Sequence, residues 1–247
     1  MEYHFIGLVN VVIFLLCLAG IWNQLRLIQR RTELFAEGGL SGERPTDILS
    51  LNQFASSFLA FFSFFVYGFV IERFNHYLVW PRLLATLLTL AILYQIMIDR
   101  REVRTVAVFA ACCAATLSAL FFLAAGVKVS QRGRAFTQGL VLVSAVIVAQ
   151  GYAHQIAVIR RTGRSGGVSL RMHQLTFLKD VSTMMLGVAM GLKTGWPLLL
   201  TNGLCALTKL GVIWQIRWAR LSPLARQRRE KASGRAEAKW MEAQFGG

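Results

Sequence analysis

Residues 50–68 read SLNQFASSFLAFFSFFVYG and residues 169–187 read SLRMHQLTFLKDVSTMMLG. Laid over one another without a gap, the two blocks share Ser, Leu, Phe, Leu, Ser and Gly in the same places. Upstream, Phe5 pairs with Phe136, Gly20 with Gly151, Gln24 with Gln155 and Ile28 with Ile159 at one constant offset. Downstream, Trp80-Pro81 answers Trp196-Pro197. Leu and Phe coincide readily between apolar segments, so the Gly, Gln and Trp-Pro matches carry the inference that the chain contains a repeat.

The repeat lies in a chain made for lipid. Of its 247 residues 55% are hydrophobic and 16% charged. Stretches with few or no charges run from Tyr3 to Leu25, Ile48 to Ile71, Leu78 to Ile98, Thr105 to Val127, Ala135 to Ile159, Met172 to Leu192 and Thr194 to Ile216. Each reaches the ~20 residues a helix needs to cross hydrocarbon. Backbone polar groups must be satisfied within the segment there, so helix is expected rather than open sheet. The third, sixth and seventh stretches tolerate Arg82, Lys179, Asp180 and Lys209.

A net charge of +15 would suggest a nucleic-acid partner in a soluble chain, but the placement of the 27 Lys and Arg residues excludes that reading. Nineteen fall in the loops after the first, third and fifth helices and in the C-terminal tail, against five in the loops after the second, fourth and sixth. The positive-inside rule then puts the C-terminus in the cytoplasm and the N-terminus outside, in the cell (inner) membrane. Met1 to Phe5 holds Glu2 and no Lys or Arg, so no cleaved signal peptide is expected. Cys17, Cys112, Cys113 and Cys205 all fall inside spans, with neither a disulfide framework nor zinc spacing.

The fold class expected is an all-α membrane protein of seven transmembrane helices, two parallel triple-helix bundles joined by a linker helix in a 3+1+3 plan. Three helices invert the chain, and one further crossing restores its direction, which makes the two triplets parallel. The boundaries are residues 1–98 for the first bundle, 99–130 for the linker, 131–218 for the second bundle and 219–247 for a basic cytoplasmic tail. The loop between Gln24 and Ser50 is twelve residues longer than its counterpart, with Gly, Pro and charges between Glu33 and Asp47 that indicate an exposed turn.

Over about residues 5–217 the chain resembles the PQ-loop superfamily, which includes SWEET sugar transporters and lysosomal amino-acid exporters. The resemblance rests on Asn23-Gln24 followed by Arg26, Arg30 and Arg31, on His154-Gln155 followed by Arg160 and Arg161, on Gly167-Val168-Ser169, on Tyr67-Gly68, and on the run from Pro197 to Asn202-Gly203. It implies a small-solute transporter in which Asn202 contacts substrate, with Thr86 at the matching place in the first repeat. Asn23, Gln24, His154 and Gln155 stand at the motif positions, where they would gate or cap helix ends at the cytoplasmic rim. The chain departs from the family in its prolines. Pro45, Pro81, Pro197 and Pro223 are its only four, and none bends the first, second, fifth or sixth helix.

The buried charges add their own argument. Each intramembrane charge costs ~3 kcal/mol on insertion scales, so it needs a reason. Asp180 and Lys179 lie ~15 Å into the sixth helix, and Lys209 reaches a similar depth in the seventh. Asp180 is expected to pair with Lys209, either to fix packing or to couple ions. Neighbouring residues on a helix diverge, so Lys179 is expected to turn to a cavity or another oxygen. Lys179, Asn202 and Thr86 are thus the candidate substrate contacts, and Asp180 with Lys209 the coupling or ion pair. Asn202 and Thr86 could equally be packing groups. Trp80 and Trp196 suit an outer aromatic belt.

No His pair has metal-ligand spacing, so neither a metal nor a cofactor is expected. No catalytic constellation is present, and an enzyme is not expected. The leading reading is transport of a sugar- or amino-acid-like solute by alternating access, with proton linkage open. The alternative is a non-transporting receptor on the same scaffold that binds an anionic or peptide ligand. A retinal protein would need an acidic counterion between Leu83 and Ile98, and there is none. The partners expected are a small-molecule substrate and the lipid bilayer, with self-association open.

Overall fold

The computed structural model describes residues 2–37, 45–46, 49–126, 130–162 and 170–228. Part of the loop after the first helix, the Gly167-Val168-Ser169 step and the tail beyond residue 228 lie outside them. The described chain forms seven long helices: α1 (Glu2–Ala36), α2 (Leu51–Val70), α3 (His76–Arg100), α4 (Val103–Ala124), α5 (Gln131–Thr162), α6 (Leu170–Ala189) and α7 (Leu192–Leu221). There is no strand among the described residues. All except α6 are long and apolar enough to cross a membrane. The exception carries Arg171, Lys179 and Asp180.

Local signals set most of the helix ends. Ser50 caps α2 by accepting from the Gln53 amide, and Asn75 caps α3 by accepting from Leu78 at 3.1 Å. The turn between α6 and α7 is only two residues long, and Gly191 takes it at φ 82°, where a side chain would be strained. The first helix departs from expectation. It was expected to end near Gln24, and it continues to Ala36, because Leu, Gln, Arg, Glu and Ala in that stretch favour helix and no breaker occurs before Gly38-Gly39. Likewise α5 runs seven residues past Gln155.

Six helices close a ring. In order round it, α1 packs on α3, α3 on α2, α2 on α5, α5 on α7, α7 on α6, and α6 again on α1; α4 sits outside on α3 and α2. Advancing three places round the ring turns α1 into α5, α3 into α7 and α2 into α6, the same correspondence as the sequence repeat. Ile28 and Ile159, matched in that register, are both buried in helix-packing clusters, one among α1 to α4 and the other between α5 and α7. The repeat glycines Gly68 and Gly187 also do the same job. A Cβ on Gly68 would meet Val79 at 2.9 Å, and one on Gly187 would meet the Gly195 carbonyl oxygen at 3.1 Å, so each lets its hairpin close.

Candidate functional site

The charges gather at the middle of α6. Asp180 is wholly buried and gives one carboxylate oxygen to each of two lysines: Oδ2 to Lys209 Nζ at 2.5 Å and Oδ1 to Lys179 Nζ at 2.7 Å. Lys209 also donates to the Thr176 carbonyl at 3.3 Å and lies over the Tyr152 ring. The expected pairing of Asp180 with Lys209 is therefore present, whereas the expected separation of Lys179 from Asp180 is not. The backbone directions do diverge, but four methylenes let the Lys179 ammonium swing back round the helix. Its side chain is 18% exposed, against 5% for Lys209, and it passes over the Phe14 ring of α1.

A second cluster joins α1, α3 and α6 next to the first. Arg82 on α3 is 2% exposed, with its guanidinium over the Phe14 ring at 4.1 Å. Its Nη1 donates to Asn10 Oδ1 at 3.2 Å and its Nη2 to Thr183 Oγ1 at 3.1 Å. The Asn10 amide donates in turn to Ser182 Oγ and Thr183 Oγ1, both at 3.0 Å. Both hydroxyls then donate to the Lys179 carbonyl, at 2.8 and 2.9 Å. Every bond in this chain has a consistent direction, so Arg82 is linked through α6 to Lys179, whose ammonium is paired with Asp180 Oδ1. Among the described residues no carboxylate forms an ion pair with Arg82.

The opposite seam of the ring is its apolar counterpart. In the repeat register Asn10 answers Val141, Arg82 answers Leu198 and Thr183 answers Phe64. Those three pack together in one buried apolar cluster with Tyr67 and Leu78. Ser63, the match of Ser182, reaches the Leu140 carbonyl at 3.5 Å across that seam. The frame is shared, and the charged groups sit on one side.

The remaining expected residues are more local. Asn202 is buried and donates to the Leu198 carbonyl of its own helix at 2.8 Å. Thr86 is buried and returns its hydroxyl to the Arg82 carbonyl at 2.7 Å. Neither is brought into hydrogen bonding with the α6 charges. Asn23 and His154 are exposed and Gln24 is half-buried, all within helices rather than at their ends, and the Gln155 side chain lies outside the described residues. Trp80 and Trp196 are exposed, as an aromatic belt requires. All four cysteines are free thiols. Asn10, Phe14, Ser182 and Thr183 were not singled out by the sequence, and Arg82 only as a tolerated charge. The usable signal was register: Asn10 and Arg82 are polar where their repeat partners Val141 and Leu198 are not.

Six described helices long and apolar enough to cross a membrane define an integral membrane protein. No family model and no curated protein matches the chain in sequence. In three dimensions it is similar to a eukaryotic SWEET transporter, with a TM-score of 0.63 over 88% of this chain and 96% of that one at 15% sequence identity. At that identity the likeness shows the fold alone.

Proposed function

We propose that this chain carries a small polar solute, sugar- or amino-acid-like, across the membrane by alternating access between two parallel triplets, α1–α2–α3 and α5–α6–α7, linked by α4. The likeness of the whole ring to a SWEET transporter carries this reading. The seams support it. Asn10 to Ser182 and Thr183, and Cys17 Sγ to the Leu175 carbonyl at 3.6 Å, are bonds between the two triplets. Rocking one triplet against the other breaks and remakes contacts of this kind. With no proline inside α1, α2, α5 or α6, the motion either bends at Gly20, Gly139 or Gly151 or is a rigid-body one. In this reading α6 spans the membrane with its charges turned to protein, the N-terminus is outside, the C-terminus is cytoplasmic, and no enzymatic step is involved.

Counterflow tests it. Full-length protein in proteoliposomes preloaded with unlabelled glucose, glutamate or succinate should transiently concentrate the matching labelled solute. Saturable binding without exchange for every member of the panel would favour the receptor reading instead, for which the net positive centre is the supporting observation.

A further inference from the structure

The geometry points to an anionic solute, a small carboxylate or comparable oxyanion, held between the two triplets by Lys179 with Arg82 behind it. This inference rests on the transport reading and names its substrate class. Arg82, Lys179 and Lys209 bring three positive charges to the interior faces of α3, α6 and α7, and Asp180 is the sole acidic residue among the buried polar side chains described. Its Oδ2 accepts a hydrogen bond from Lys209, and its Oδ1 faces Lys179 in an ion pair that is not a hydrogen bond. The centre therefore holds two more positive than negative formal charges at a depth where an uncompensated charge is disfavoured.

The three cations are not equivalent. Lys209 is saturated by Asp180, the Thr176 carbonyl and the Tyr152 ring face. Arg82 is held on one edge by Asn10 and Thr183 and on one face by Phe14. Lys179 has a single carboxylate oxygen, an aromatic face and two further N–H donors, and it is the most exposed of the three. It is thus the group a solute can reach, and an anion beside it would neutralise one of the two surplus charges, or both if it is a dianion. A neutral sugar would leave both surplus charges in place. The hydrogen-bonded path from Arg82 through Thr183 to the Lys179 carbonyl ties α3 to α6, and both cations lie over the Phe14 ring. The apolar seam of Phe64, Val141 and Leu198 provides no second charged wall.

The test is thermal unfolding of the full-length protein in a neutral detergent, titrated with acetate, succinate, inorganic phosphate, glucose and, at matched ionic strength, sodium chloride. At least one carboxylate or phosphate should raise the melting temperature well beyond chloride, and glucose should not. Lys179→Gln should weaken that anion's apparent affinity by about tenfold or more, with Lys179→Arg within about threefold of the parent. Stabilisation by glucose alone, equal stabilisation by chloride, no stabilisation by any anion, or full affinity in Lys179→Gln would each overturn the inference. Anion binding without counterflow would retain the site and remove the transport reading. Glucose counterflow with no anion effect would do the reverse.

Discussion

Arg82 on α3 and Leu198 on α7 each follow a Trp-Pro pair by one residue, each is buried, and each lies at the seam between triplets, one within a polar network and the other within an apolar cluster. The two seams of the ring are therefore matched in shape and opposed in chemistry. That opposition can be tested by making one seam resemble the other.

Arg82→Leu should abolish transport and destabilise the protein by about 1–3 kcal/mol, because the Asn10 side-chain Oδ1 loses its donor in a buried setting. Adding Asn10→Val should recover part of that stability and none of the transport. Unfolding measurements on the two single variants and the double then give a coupling energy of about 0.5–3 kcal/mol. Strict additivity would mean that the two side chains do not act as one unit.

Asp180→Asn removes the negative charge shared by Lys179 and Lys209 and turns one of its two acceptor oxygens into a donor. Breaking a buried pair from one side costs about 3–5 kcal/mol, so the variant should melt well below the parent. Replacing Lys209 with Met as well should restore part of the loss. Pair-breaking without a stability change would show that the carboxylate is solvated.

Gly195→Ala should prevent stable folding, because the added Cβ would run into the Gly187 carbonyl oxygen, a backbone atom that cannot swing aside. Gly203→Ala on the same helix is the control. Its Cβ would meet only Met184 Cε at 3.8 Å, so its melting temperature should stay close to that of the parent. Equal behaviour of the two variants, by yield and unfolding temperature, would mean that α6 and α7 do not cross this closely.

Asn202→Ala should reduce transport about tenfold or more, and Thr86→Ala by less than about threefold. Both side chains bond to their own helix, but Asn202 keeps an amide oxygen, whereas the Thr86 hydroxyl donates its one proton to the Arg82 carbonyl. A larger loss in Thr86→Ala would reverse the asymmetry between the two halves.

Much of this was legible in the chain. The repeat gave the correspondence of helices, and depth arithmetic along α6 and α7 gave the Asp180–Lys209 pair, because rise per residue is fixed by helix geometry. Lys179 was not legible in the same way, since a long flexible stem can place its ammonium away from the direction of its Cα–Cβ bond. The extra length of α1 came from reading a change to polar composition as a helix end, when helix propensity continues through Arg26 to Ala36. The link from Asn10 to Arg82 and Thr183 joins residues 72 and 173 places away in sequence, and only the closed ring brings them together.

The most direct test of alternating access is to staple the α1–α6 seam. With Cys112, Cys113 and Cys205 replaced by Ser and Leu175 by Cys, native Cys17 can be joined to position 175 across the contact that the two residues already make. Counterflow should be present in the reduced protein, lost on oxidation and restored by reductant. Undiminished exchange in fully cross-linked protein would contradict rocking of the two triplets against each other.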